Sequence, residues 1–141
     1  MYSILKASHS HFAWLALLAI GIAAIVALMS YMGKKGSPQL KTFALIGLIM
    51  AHLQLLMGLI LYFVSPNGMS NLSGATMKDS FGRLLALEHP LMNIIALVLI
   101  TIGYSKSKKL IGTLAASKTI MIYYGLGLIL ILIRIPWQVW P

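Results

Sequence analysis

The chain has 141 residues, of which 60% are hydrophobic and only 9% charged, and its mean hydropathy is +0.91. A water-soluble domain carries about 25% charged residues, so this composition excludes one and describes a polytopic membrane protein with no room for a soluble domain. The net charge of +9 raises the question of nucleic acid, and the absence of cysteine excludes disulfides, thiolate metal sites, iron–sulfur clusters and a C-x-x-C-H haem attachment.

Four apolar stretches lie at about 12–32, 42–64, 84–104 and 119–140, each close to the ~20 residues that cross ~30 Å of hydrocarbon. With their flanks they predict spans of about 10–32, 41–64, 84–105 and 119–140 in one all-α, four-helix transmembrane domain covering 1–141. The first apolar run exceeds the usual core of a cleaved signal peptide, only Lys6 precedes it, and Lys34 and Lys35 follow it. That order predicts an anchor helix with its N-terminus outside. Near its start, His9 and His11 form an H-x-H pair. On a helix this spreads the rings by ~200°, which suits interfacial positions better than a shared metal.

"GKKGSPQLK" (33–41) ends the first helix and opens the second near Pro38. The second span carries His52 and a small-residue stripe, Gly47, Ala51, Gln54 and Gly58, spaced i, i+4, i+7, i+11. Such a stripe lets another helix or a flat ring approach closely. His52 lies roughly opposite it at 100° per residue, so one of the two faces away from the bundle core, and the spacing leaves open which. "SPNGMSNLSGATMKD" (65–79) is a loop by its Gly, Pro, Asn and Ser content.

The third span opens with "RLLALEHPLMN" (83–93). A helix starting at Pro90 would leave about 15 residues, or ~22 Å, which is too short for the hydrocarbon. The helix is therefore expected to start at Asp79 or Ser80, either a good N-cap, with Pro90 kinking it from within. Glu88 and His89 then lie inside the membrane, where ionisable groups face the bundle interior. Glu88 is expected to pair with Arg134 or to be protonated, and Asn93 to hydrogen-bond a neighbouring helix. "SKSKK" closes this helix, and the last span carries Arg134. Its "GLILILIRIP" (127–136) faintly echoes "GLILYFVSP" (58–66). Trp14, Tyr62, Tyr104, Trp137 and Trp140 near span ends read as interfacial anchors.

The cations divide by loop. Lys34, Lys35 and Lys41 flank the first connection and Lys106, Lys108, Lys109 and Lys118 the third, leaving Lys6, Lys78 and Arg83 on the other side. The positive-inside rule then puts both basic loops in the cytoplasm and both termini outside. Contact with lipid headgroups accounts for the basicity, and nucleic acid is not an expected partner.

Taking helices as about 2–32, 38–64, 79–106 and 119–141 and counting from their midpoints, His52 falls ~1–2 Å outward of centre, His89 ~5 Å, Arg134 ~6 Å, His11 ~9 Å and His9 ~12 Å. Two neutral imidazoles at one depth on facing helices are what a b-type haem needs as axial ligands. His52 and His89 match best, which predicts haem b between the second and third helices. Arg134 and Arg83 are expected at the propionates, with His9 or His11 as further donors. Alternatively, the Glu88, His89 and Arg134 group binds a quinol headgroup. The non-catalytic reading makes the polar cluster structural glue in an accessory subunit. Proton or ion translocation lacks a second polar layer toward the cytoplasm.

"HSHFAW", "AHLQLLMGLILYFVSP", "MKDSFGRLLALEHPLMN", "GYSKSKK" and "IPW" together resemble a family of small four-helix inner-membrane proteins of Bacteroidetes-type bacteria, described as cytochrome b-like. The likeness spans nearly the whole chain. It implies a multi-pass protein of the bacterial inner membrane and highlights His9, His52, Arg83, Glu88 and His89, while His11 lies outside the pattern. The resulting expectation is a haem-binding electron-transfer component, not an enzyme by itself. It would work with other inner-membrane subunits or a second copy of itself, or stand as a non-catalytic accessory subunit of a larger respiratory or transport complex.

Overall fold

A computed structural model describes residues 1–141 as four helices without any sheet: α1 (Tyr2–Met32), α2 (Leu40–Val64), α3 (Ser80–Ser107) and α4 (Leu114–Leu132). Each is long and apolar enough to cross a membrane. The chain runs up, down, up, down. α1 packs on α2 and α4, α3 packs firmly on α4, and the α2–α3 side is the loosest seam. This makes α1 and α3 diagonal partners.

Small residues decide which faces meet. Ala16, Ile20, Ala23 and Ala27 form the buried face of α1, and Leu40, Ala44, Gly47 and Ala51 that of α2, at matching i, i+4, i+7, i+11 intervals. Lipid tails are as apolar as leucine, so helices in a bilayer gain from close packing and not from hiding hydrocarbon. The bulky Leu18, Ile25, Ile49 and Leu56 accordingly stay on the outside. The α2 stripe faces the core. A Cβ added at Gly47 would lie 3.2 Å from the Tyr124 ring and 3.3 Å from the Ala19 carbonyl oxygen, and the Tyr124 hydroxyl donates to the Ala44 carbonyl at 2.6 Å.

α3 begins where helix length requires. Asp79 caps it, its carboxylate accepting from the Gly82 amide at 2.6 Å. Across Leu84–Glu88 the helix widens into a π turn, and the His89 amide bonds the Leu84 carbonyl. Pro90 has no N–H, which deprives the Ala86 carbonyl of its helical donor. The Tyr62 hydroxyl from α2 takes that place at 3.0 Å. The expected kink is thus a widened turn whose freed acceptor is satisfied by a neighbouring helix.

α4 departs from the expected 119–140 at both ends. It starts at Leu114 because the Thr113 side chain caps it, accepting from the Ala116 amide at 3.3 Å. It stops at Leu132 because Pro136 cannot donate to the Leu132 carbonyl, which accepts the Trp137 indole N–H instead, at 2.9 Å. Arg134 therefore lies just beyond the helix and not within it. Residues 133–141 turn back over the bundle end, where Trp140 lies 4.6 Å from Trp14 between ring centres and donates to the Ser10 carbonyl at 3.1 Å. α1 likewise starts at Tyr2, before the span predicted from about residue 10.

Candidate functional site

In the half of the bundle that carries both termini the helices enclose a cavity of about 270 Å³, just under the ~300–1,000 Å³ typical of small-molecule sites. All four helices and the returning tail contribute, and the lining is mostly apolar, with Ile20, Leu55, Leu97, Ile131 and Trp140 among its walls. His9, Gln54, His89 and Asn93 bring polar groups to it.

His9 of α1 and His89 of α3 meet across the bundle diagonal, with ring centres 6.4 Å apart and planes at 89°. His89 Nδ1 donates to the Arg134 carbonyl at 2.8 Å. A carbonyl only accepts, so this bond fixes the proton on Nδ1 and leaves Nε2 as a bare lone pair in the neutral ring. The same bond satisfies a carbonyl just past the end of α4. His9 rests against the small stripe of α2. Gln54 Nε2 donates to the His9 carbonyl at 3.0 Å and lies 3.2 Å from its Nδ1. A Cβ at Gly58 would stand 3.0 Å from His9 Cε1, so only glycine leaves the ring this space. The Gln54 carbonyl oxygen is buried without a donor.

His52 is the main correction to the expected set. It lies on the outer face of α2, exposed, its Nδ1 donating to the Leu48 carbonyl one turn back at 2.8 Å. It is absent from the cavity wall and is not brought to His89. The cause is geometric: the stripe needed for close packing turns inward, and His52 sits opposite it. His11 is also outside and exposed, bonded to the Ala7 carbonyl at 2.8 Å, so the H-x-H pair divides with one ring in and one out.

Glu88 pairs with both arginines. Arg83 Nε lies 2.8 Å from one carboxylate oxygen and Arg134 Nε 3.4 Å from the other. Neither arginine lines the cavity, so the structure gives neither the expected place at propionates inside it. Asn93 turns back on its own helix, donating to the His89 carbonyl at 2.6 Å, where an interhelical bond was expected.

Two contributors escape a reading of the sequence for metal ligands. Gln54 reads there as one member of a small stripe, although a polar side chain within an apolar span is itself a signal. Tyr62 reads as an interfacial anchor, yet it supplies the donor that Pro90 removes. The arrangement defines a class: a multi-pass membrane four-helix bundle with a mostly apolar internal site bounded by two histidines. No protein-family model, curated protein or solved structure matches the chain.

Proposed function

We propose that the chain is a b-type membrane cytochrome that carries single electrons. His9 and His89 would hold one haem b at the cavity. The observation carrying this reading is a pair of imidazoles on opposite helices that both line a mostly apolar cavity, their ring centres 6.4 Å apart. The two rings are thus near enough for one metal-bearing group to be shared by both. No third His, Cys, Asp or Glu is grouped with them, so haem iron would find two protein ligands there. The Gly58 cradle beside His9 leaves that ring its space at the cavity edge. When bound, haem supplies a one-electron couple.

The chain's own residues do the rest. The Arg134 carbonyl accepts from His89 Nδ1, which orients the ring and raises its basicity. Gln54 holds His9 from α2. The apolar walls exclude water, and the tail with Trp140 covers the bundle end. The donor is a membrane quinol or a neighbouring redox subunit, and the acceptor lies on the side of the termini, outside the bacterial inner membrane.

A dithionite-reduced minus air-oxidised spectrum of the purified protein, with a pyridine haemochrome assay, tests this. Sharp reduced α and Soret bands are expected at about one haem per chain. His9→Ala and His89→Ala each lower haem content at least tenfold, and His52→Ala leaves it unchanged. A folded protein that stays colourless when expressed with ample haem overturns the reading.

One observation favours a second reading, an accessory subunit of a larger membrane assembly. His52 presents its ring outside the bundle near mid-span, where lipid offers no hydrogen-bond donor. A colourless folded protein whose His52→Leu variant no longer assembles supports it.

A further inference from the structure

A second cleft lies where the start of α3 meets the residues just past α4, lined by Ser80, Arg83, Glu88, Arg134 and Gln138 with apolar Phe81, Leu84, Ile133 and Ile135. We propose that this cleft is a phosphate-ester site that takes the headgroup phosphate of a membrane phospholipid between Arg83 and Arg134. The proposal is independent of haem, because neither arginine lines the cavity.

Charge is the first argument. Two guanidiniums share one carboxylate, which leaves the cleft with a net charge of +1. Glu88 occupies the Nε of each arginine, at 2.8 and 3.4 Å. Arg83 Nη1 donates to the Met77 carbonyl at 2.8 Å, and Arg134 Nη1 makes a long bond of 3.3 Å to the Ile133 carbonyl. The Nη2 group of each makes no hydrogen bond within the protein. Both side chains are partly exposed, at 38% and 41%, so an anion reaches them without opening the fold. Guanidinium forks suit tetrahedral and planar oxyanions, and Ser80 and Gln138 add neutral polar groups to the same wall. The Glu88 carboxylate also faces the cleft and opposes an anion, but it also holds the two guanidiniums to one side.

Position selects the lipid. α3 begins at Ser80 and α4 ends at Leu132, so the cleft sits at the rim of the apolar spans. Exposed Trp137 marks the same level, as tryptophans do at headgroup depth. A ligand with a phosphate beside acyl chains matches a mainly polar wall that carries both arginines and is edged by Phe81, Leu84, Ile133 and Ile135.

The test is thermal unfolding of delipidated protein in detergent, with added phosphatidylglycerol, with diacylglycerol of the same chains, or with inorganic phosphate. Phosphatidylglycerol raises the midpoint by several degrees and diacylglycerol does not. Arg83→Gln and Arg134→Gln each remove more than half of the rise, and the double variant removes all of it. Lys108→Gln, at the opposite end of the bundle, keeps it. Ser80→Asp keeps both arginines and adds a competing carboxylate at a position where helices accept one. It loses the rise while folding normally, which covers the case of an unfolded double variant. If inorganic phosphate reproduces the arginine-dependent rise, the phosphate chemistry stands and the source is a free anion. No rise in the unaltered protein, an equal rise with diacylglycerol, or a full rise in Ser80→Asp overturns the proposal.

Discussion

The two ends of the bundle pack the same four helices in different ways. Toward the basic loops, Ala27, Leu40, Ala44, Ile100 and Ile120 are fully buried, and small residues on α1 and α2 bring backbones into contact. Toward the termini the helices stand off from one another around a cavity. There the seam residues are His9, Gln54, His89 and Asn93, and α3 widens into its π turn next to Pro90. A membrane bundle closes where small side chains face one another and opens where larger or polar groups and an altered helical turn hold it apart. The tight end fixes the frame in which the open end keeps its space.

Truncations at matched chemistry should separate the two ends. Ile120→Ala, at the closed end, leaves a void among fully buried neighbours and is expected to cost about 2–5 kcal/mol, measured by denaturation in mixed micelles. Leu17→Ala, on the cavity wall, enlarges space that is already open and should cost less, about 0.5–2 kcal/mol. Equal losses at the two positions would mean that the ends are packed alike. Tyr62→Phe removes the donor to the Ala86 carbonyl and should cost about 1 kcal/mol, with a faster exchange of amides in the π turn by hydrogen–deuterium mass spectrometry. The smallest effect is expected from His52→Leu, which should stay within about 0.5 kcal/mol because the side chain faces away from both ends.

Much of this architecture is legible in the sequence, for physical reasons that differ by element. Hydropathy gives four helices because the bilayer sets their length, and the length of α3 demands a start before Pro90, which Asp79 supplies. The cost of a lone carboxylate points to Glu88 either pairing with Arg134 or being protonated; the structure pairs it with Arg134 at 3.4 Å, and more closely with Arg83 at 2.8 Å, a partner the sequence reading does not give. The inward face of α2 does not follow. In a bilayer the outside is as apolar as the inside, so no hydrophobic periodicity tells the stripe bearing Gln54 from the face bearing His52. The nearness of His9 to His89 is hidden for a second reason: depth counted from helix midpoints assumes that helices are centred alike. α1 is 31 residues long, about 46 Å at 1.5 Å per residue, and its His9 ring centre comes within 6.4 Å of that of His89, although the count sets the two residues ~7 Å apart in depth alone. The end of α4 depends on an indole answering a carbonyl that a proline leaves bare, a pairing set by tertiary geometry.

The returning segment 133–141 also imposes an order in time. Ribosomal synthesis delivers His9 first, then His89, then Arg134, whose carbonyl orients the His89 ring, and last Trp140, which docks on Ser10 and Trp14. Without those final residues the cavity lacks the part of its wall that Pro136, Val139 and Trp140 supply. With them it is roofed by a tryptophan, with the loose α2–α3 seam as its weakest wall.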